Sequence, residues 1–360
     1  MGGYIMAKIK VCVIFGGMSS EYEVSLMSAK SVIDNIPADK YDIVKVGITK
    51  KGRWLFFPGG TDDIVRDKWY DDPDCVPCLI SPDRTTRGLI KLDGNKVSIE
   101  KIDVVLPVLH GKFGEDGTLQ GLLEMSGIPY CGCGVLASAV CMDKIYADII
   151  FEKRGIPHAK WDFMKDYEID DFDSIADRVE KNLGYPIFVK PSNAGSSVGV
   201  TKAHDRAELK SAVQLALTHD SEVVFEEFIS GHEVECAVYG NCPDLIASEV
   251  GEVGASAEFY DYNDKYFSGT SVTYIPALLD KDIRDEVRRL AKKAYTACNC
   301  KGLSRCDFFV TDDGRILINE INTLPGFTNI SMYPKLMMHT GMTYSELIDG
   351  VIGLALEGSR

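Results

Sequence analysis

Apolar residues along this chain follow three successive rhythms. The first is near-continuous: Ile9-Lys-Val-Cys-Val-Ile-Phe15 runs into Gly16-Gly17 and then into Met18–Ala29, which has helical periodicity and serines suited to capping. A strand buried on both faces, a glycine turn and a helix open a βαβ unit. Tyr41–Ile48 and Ile102–Leu109 read as further strands of the same sheet, and Gly117–Ser126 as a helix returning over it. A doubly wound, parallel-sheet α/β domain is therefore expected over residues 1–138. In the second rhythm, helical periods at 143–154 and 205–217 alternate with strands at Tyr185–Lys190 and Glu222–Glu227, which predicts a small α+β unit over 139–230. The third, 231–360, holds longer strands, an acidic loop at 252–270, a helix over 280–298 and a hairpin.

That hairpin, RCDFFVTDDGRILINEINTLPG from Arg305 to Gly326, carries four polar residues on otherwise apolar strands. Counting outward from a two-residue Asp313-Gly314 turn pairs Asp307 with Glu320 and Arg305 with Asn322, all on one face. Carboxylates about 5 Å apart across a ladder repel unless something neutralises them. Two carboxylates and an amide oxygen, with no histidine or thiolate, suit Mg²⁺ or Mn²⁺ rather than zinc. An ion pair of Arg305 with Asp307, or a solvated outer face, would answer the same repulsion. On spacing alone, neutralising Asp307 or Glu320 should leave the metal-free protein as stable or slightly more so.

Composition narrows the class. With 360 residues, 45% hydrophobic and 26% charged, the chain has room for two or three globular domains. A net charge of −15 argues against a nucleic-acid partner, though lysines gathered locally could still hold a nucleotide triphosphate. The start, MGGYIMAKIKVCVIF, has no secretory pattern, and no run of eighteen apolar residues occurs, so no membrane association and a cytoplasmic location are expected. Residues Met1–Ala7 stay outside the fold argument. Eleven cysteines at irregular spacings suggest reduced, mostly buried thiols, and Cys75-Val-Pro-Cys78 is a lone CxxC with no second half for zinc.

Other stretches carry candidate chemistry. Lys190-Pro-Ser-Asn-Ala-Gly-Ser-Ser-Val-Gly199 is a strand ending in lysine before a Gly/Ser loop whose N–H groups and hydroxyls can wrap phosphate; it lacks the Walker A pattern, and a plain glycine-rich turn reads equally well. Lys144 opens the next domain's first helix and, taken singly, is a surface lysine. Glu21, at the mouth of the first sheet, suits a ligand's ammonium group or simply the helix dipole. His110 follows a strand's C-terminal end, where open α/β sheets bind ligands, but taken singly it is a packed histidine. Phe259–Phe267 is a charged, aromatic loop of the kind that closes over a site.

Together, in order and over nearly the whole chain, seven segments resemble the D-alanine–D-alanine ligase family of the ATP-grasp superfamily. They are VIFGGMSSEYEVSL, LHGKFGEDGTLQGLLEMSGIPYCGCG, CMDK, FVKPSNAGSSVGV, EEFISGHEVECAVYG, FYDYNDKY, and SRCDFF followed by INEINTLPGFTNISMYP. The resemblance implies a three-domain ATP-grasp fold, with ATP gripped between the central and C-terminal domains and a homodimer through the N-terminal domain. It places Lys144 and Lys190 on the ATP phosphates, Glu226 and the Ile229 backbone on adenine, and Glu233 on the ribose. Gly195–Gly199, with Ser196 and Ser197, would cover the phosphates, and Ser196 would reach Tyr266 and Glu21. Lys265 would contact the transferring phosphate. Glu21 would bind the ammonium of the first D-alanine, with His110 near its carboxylate. Arg305 and the Gly326 N–H would stabilise the oxyanion, Ser331 and Met332 would receive the second substrate's carboxylate, and Asp307, Glu320 and Asn322 would hold two Mg²⁺, for which Mn²⁺ may substitute.

One position departs from the family's usual pattern. Tyr22 stands where many members carry His or Arg and resembles members that take D-serine second, whereas Tyr266 and Met332 keep the ordinary D-alanine pattern. D-Ala–D-Ala ligation is the expectation and D-Ala–D-Ser the alternative. Another ATP-grasp carboxylate–amine ligase, or a nucleotide-binding regulator, stands behind both.

Overall fold

The computed structural model describes residues 7–195, 198–254 and 272–357. The chain starts with β1 (Ile9–Gly16), α1 (Tyr22–Asn35) and β2 (Tyr41–Ile48). It continues through β3 (Trp54–Phe56), the short α2 (Thr61–Val65), β4 (Val76–Ile80), β5 (Gly88–Asp93), β6 (Lys96–Lys101) and β7 (Val104–Val108). Seven strands form one sheet in the order β6-β5-β4-β3-β2-β1-β7. β1 pairs in parallel with β2 and with β7, as its unbroken apolar run requires, because both faces are covered. On one face Val11, Val13 and Phe15 meet Leu26 and Val32 of α1. On the other Cys12 and Ile14 meet Leu119 and Leu123 of α3 (Thr118–Ser126). The predicted parallel, doubly wound centre is therefore present, but β3 to β6 extend it as an antiparallel meander that the apolar pattern did not reveal. The first helix begins at Tyr22 rather than Met18 and runs on to Asn35.

α4 (Val135–Met142) and α5 (Lys144–Arg154) lead into a four-stranded sheet. It is built from β8 (Trp161–Lys165), β9 (Ile187–Pro191), β10 (Thr201–Ala203) and β11 (Glu222–Glu227), backed by α6 (Phe172–Leu183) and α7 (Arg206–Ala216). Its core, from Met164 to Phe225, is its own. The third sheet has five strands in the order β14-β13-β12-β15-β16: β12 (His232–Tyr239), β13 (Ile246–Val253), β14 (Thr273–Tyr274), β15 (Leu303–Val310) and β16 (Ile316–Asn322). α8 (Lys281–Ala297) covers one face, and by packing α4 and α5 belong there too, since Ala137, Cys141 and Phe151 share a core with Val234, Leu290 and Ile318. Of the last helices, α9 (Met332–His339) packs on β12 and β13, with Met332 and Leu336 against Gly251 and the Tyr333 hydroxyl donating to the Val238 carbonyl, and α10 (Tyr344–Glu357) reaches α1 and β7, so that one core joins them to the first sheet.

All eleven cysteines are free thiols and nine are buried. Cys75 donates to the Trp69 carbonyl and Cys78 lies in the first sheet's core, so the CxxC is spent on packing. No helix among the described residues is long and apolar enough to cross a membrane.

Candidate active site

The hairpin supplies one wall of the site, by a route the turn arithmetic did not foresee. Thr311 and Arg315 close the ladder around a three-residue loop, with the Gly314 N–H donating to the Thr311 carbonyl and Gly314 at φ +83°. That loop replaces the expected Asp313-Gly314 turn and shifts the register by one residue near the tip, where Phe308 faces Ile318. Asn319 then stands as an extra residue, a bulge, and beyond it Asp307 faces Glu320 and Arg305 faces Asn322. The bulge also leaves Ile318 and Ile321 in the core while Glu320 and Asn322 turn to the cleft.

Arg305 answers the repulsion between the carboxylates. Its guanidinium donates to both oxygens of Asp307, each at 2.7 Å, and pairs with Glu235 at 2.9 Å. The Asn322 amide donates to Asp307 at 3.0 Å and to Glu320 at 3.4 Å. Glu235, opposite Asp307 on β12, extends the row to three carboxylates across three strands. The sequence reading missed it, although its alternation with the buried Val234 and Cys236 is the same signal that marked Asp307. Among the described residues no three Asp, Glu, His or Cys side chains are arranged to hold a metal without help. The donor set is two carboxylates and an amide.

The second sheet supplies the cations. Lys190, on β9, donates to Glu226 of β11 at 2.6 Å; burial works against its charge, but Glu226 outweighs it and holds the ammonium pKa above the ordinary range. Lys144 donates to the Ala194 carbonyl at 2.9 Å, and burial pushes its pKa down. Asp143 caps α5 by accepting from the N–H groups of Ile145 and Tyr146. The same carboxylate takes the Ser192 hydroxyl and the Asn193 amide, which ties the start of the glycine loop to the helix that carries Lys144. A Cβ on Gly195 would stand 3.0 Å from Glu21 Oε2, and one on Gly111 2.6 Å from it, so glycine at both positions lets that carboxylate meet two loops. Ser196, Ser197, Lys265 and Tyr266 lie outside the described residues.

The first sheet closes the site. His110 is buried, and both ring nitrogens are engaged: Nδ1 lies 2.9 Å from the Leu324 carbonyl and Nε2 3.2 Å from Ser28 Oγ. A carbonyl only accepts, so Nδ1 carries the proton and Ser28 donates to Nε2 while accepting from the Phe327 N–H. Burial pushes the imidazole pKa down, in keeping with this neutral tautomer. Glu115 accepts from the N–H groups of Gly111 and Leu324, and burial followed by the Glu21 charge pushes it up to about 8. It too was missed, because an acid in a loop gives no periodic signal. Gly326 abuts Ser331, whose hydroxyl meets Thr328, and Met332 packs its side chain into the core at the first turn of α9. Ile229 lies on the connection from β11 into β12, and Glu233 is the second residue of β12, opposite Phe309 of β15. Tyr22 turns away from the cleft: its hydroxyl donates to Asp67 at 2.6 Å and accepts from Trp69 at 3.1 Å within the core.

Known proteins resemble this chain along its whole length. Residues 10–133 match the family described as D-ala D-ala ligase N-terminus, and residues 150–353 match D-ala D-ala ligase C-terminus. A D-alanine–D-alanine ligase of Acetivibrio thermocellus is 52% identical over 97% of this chain and 96% of its own, and one of Caldicellulosiruptor bescii is 47% identical over 99% and 97%. Among solved structures, the VanG D-Ala:D-Ser ligase of Enterococcus faecalis has a TM-score of 0.89 at 42% identity, covering 97% of this chain and 100% of that one. The D-alanine-D-alanine ligase of Coxiella burnetii has a TM-score of 0.87 at 32% identity, covering 98% and 95%. Matched by both family halves and by relatives of this identity and coverage, the chain belongs to the D-alanine–D-alanine ligase family.

Proposed function

We propose that the protein joins two D-alanines into D-alanyl-D-alanine at the expense of ATP, for peptidoglycan precursor synthesis. The observation that carries this reading is the meeting of two part-buried lysines and a glycine loop with a face of carboxylates and one arginine. A carboxylate is a poor electrophile, and the lysines can hold a triphosphate whose terminal phosphoryl group moves onto it. Glu21 orients the first amino acid by its ammonium group. The amine of the second D-alanine, held by its carboxylate at Ser331 and the start of α9, attacks the resulting acyl phosphate. Arg305 and the Gly326 N–H donate to the oxygen that gains charge, and phosphate leaves. His110, with both nitrogens spent on the protein, positions Leu324 and the loop carrying Gly326. A loop that closes over the site would keep water from the acyl phosphate.

The hairpin face fits Mg²⁺, which takes few protein ligands and completes its shell with phosphate oxygens and water. Asp307, Glu320 and Asn322 would hold it, and two such ions, or Mn²⁺, would supply charge neutralisation during phosphoryl transfer. The reading also takes the protein to be a cytoplasmic homodimer, with domains at 1–138, 139–230 and 231–360; analytical ultracentrifugation checks the dimer.

The test is phosphate release from ATP and Mg²⁺ with each amino acid in turn. Release with D-alanine and a D-Ala–D-Ala product by mass spectrometry are expected; dependence on an L-amino acid, or no turnover with any D-amino acid, sinks the reading. Likeness to a D-Ala:D-Ser ligase keeps D-serine as the alternative second substrate, and mixing D-Ala with D-Ser from pH 6 to 9 weighs the two products directly. Tyr22, whose hydroxyl is spent in the core, gives D-serine no direct support.

A further inference from the structure

Arg305 has more acids around it than stabilising an oxyanion calls for. The third sheet sets them in a row: Glu235 of β12 faces Asp307 of β15, and Asp307 faces Glu320 of β16. One step along the strands Arg305 stands between Ala237 and Asn322, and its side chain reaches back to the row. It gives two hydrogen bonds to Asp307, each at 2.7 Å, and its Nε lies 2.9 Å from Glu235 Oε2. All three side chains are 14–15% exposed. Asp307 is thus claimed twice, by the guanidinium and by the divalent cation that its face with Glu320 and Asn322 fits. Two positive charges on one sparsely exposed carboxylate repel each other strongly. Glu235 stands at the other end of the row from Glu320, with Asp307 between them, so cation binding makes no use of it.

We propose that Glu235 is a positioning residue for Arg305, keeping the guanidinium in the cleft when Asp307 turns its oxygens to a divalent cation. The proposal rests on the roles given above to Arg305 and to the face of Asp307, Glu320 and Asn322. In the metal-free protein Arg305 neutralises Asp307, and Glu235 shares the hold. Once Asp307 is shared with a cation, the guanidinium is pushed off it, and Glu235 is the acid of the row farthest from Glu320. A guanidinium carries five N–H donors in a fixed fork, so Nε stays on Glu235 while the donors released by Asp307 turn to the oxygen that gains charge. With alanine at 235, Arg305 either stays on Asp307 and competes with the cation or leaves the cleft.

The test reads metal binding apart from turnover: Mn²⁺ is titrated into the protein with ADP, and free Mn²⁺ is followed by electron paramagnetic resonance. Glu235→Ala should raise the Kd of Mn²⁺ about tenfold, because Arg305 then presses its whole charge on Asp307. In an Arg305→Ala background the same change should raise it less than about threefold, since no guanidinium remains to compete. A Glu235 that acted by its negative charge alone would weaken Mn²⁺ equally in both backgrounds, and equal losses overturn the proposal. So does an alanine variant that binds Mn²⁺ as the unmodified protein does. Glu235→Gln, close to glutamate in size, runs through the same cycle should the alanine variant fail to fold, with the same inequality expected between the backgrounds. In turnover at saturating Mn²⁺, Glu235→Ala should lower kcat about tenfold and leave KM for ATP within about threefold; a raised KM with kcat intact overturns the role. Unequal losses of Mn²⁺ binding in a protein that makes no dipeptide sink the ligase reading and keep the role of Glu235. Dipeptide synthesis with equal losses does the reverse, and a protein that binds no Mn²⁺ with ADP overturns the proposal whatever it synthesises.

Discussion

At the scale of single residues, the two facing carboxylates of the hairpin are not equivalent. Spacing made Asp307 and Glu320 interchangeable, but only Asp307 receives two bonds from Arg305 at a site where both side chains are about 15% exposed. Asp307→Asn should therefore lower stability in metal-free buffer by about 1–2 kcal/mol, softened because Arg305 keeps Glu235. Glu320→Gln removes a like charge together with the attraction of Lys144 and Lys190, and these oppose one another, so it should shift the melting temperature less than Asp307→Asn. Equal losses in a thermal melt of the two variants would return the pair to the symmetric account. His110 carries a pH signature of its own. Its folded pKa lies below its unfolded value, so the unfolded chain binds the proton first and stability is lost as pH falls from about 6.5 toward the folded pKa. His110→Gln can still donate to Leu324 and accept from Ser28, and does not titrate. Its melting temperature should fall less steeply than the unmodified protein's between pH 7 and 5; parallel curves would remove His110 from the acid response.

At the scale of elements, legibility followed burial. β1, β2 and β7 were visible because strands covered on both faces read as apolar runs, and α5 and α7 because their caps and periods agree. The meander β3 to β6 was not, since β3 has three residues and β6 is exposed at nearly every position, leaving no apolar rhythm to find. The hairpin was half legible. Its cross-strand pairs came out right because the longer loop and the Asn319 bulge offset one another by one residue each. Spacing allowed the pairing of Arg305 with Asp307 without selecting it over a metal, the bulge has no signature in spacing, and Glu115 acquires its character from burial and from Glu21, which comes from a separate loop. The loop has a direct test. Gly314 has φ +83° and open space around a would-be Cβ, so Gly314→Ala should cost about 1 kcal/mol through the backbone alone. Denaturant unfolding reads that cost, and a loss above about 2 kcal/mol, or a changed turnover, would mean that the loop contacts the site.

At the scale of the whole molecule, the three sheets do not make three equivalent bodies. The first sheet and the C-terminal helices share one core, with Val32 beside Ile348 and Val351, and Asp349 ties Tyr41 and Lys40 of the first domain to α10 at 2.7 Å each. The second sheet keeps a separate core, and it reaches the cleft with Lys190, Glu226 and the loop that ends on Glu21. Ligand binding in this arrangement has one part to recruit and one to push against. Hydrogen exchange with a non-hydrolysable ATP analogue and Mg²⁺ should accordingly show new protection at 187–199 and 222–233, and on the hairpin from Arg305 to Asn322. β1, β2, β7 and α10 should exchange as before. Protection spread evenly over the first sheet would mean that the nucleotide is gripped from the wrong side, whereas protection confined to the second sheet would detach the carboxylate face from the phosphates it is proposed to serve.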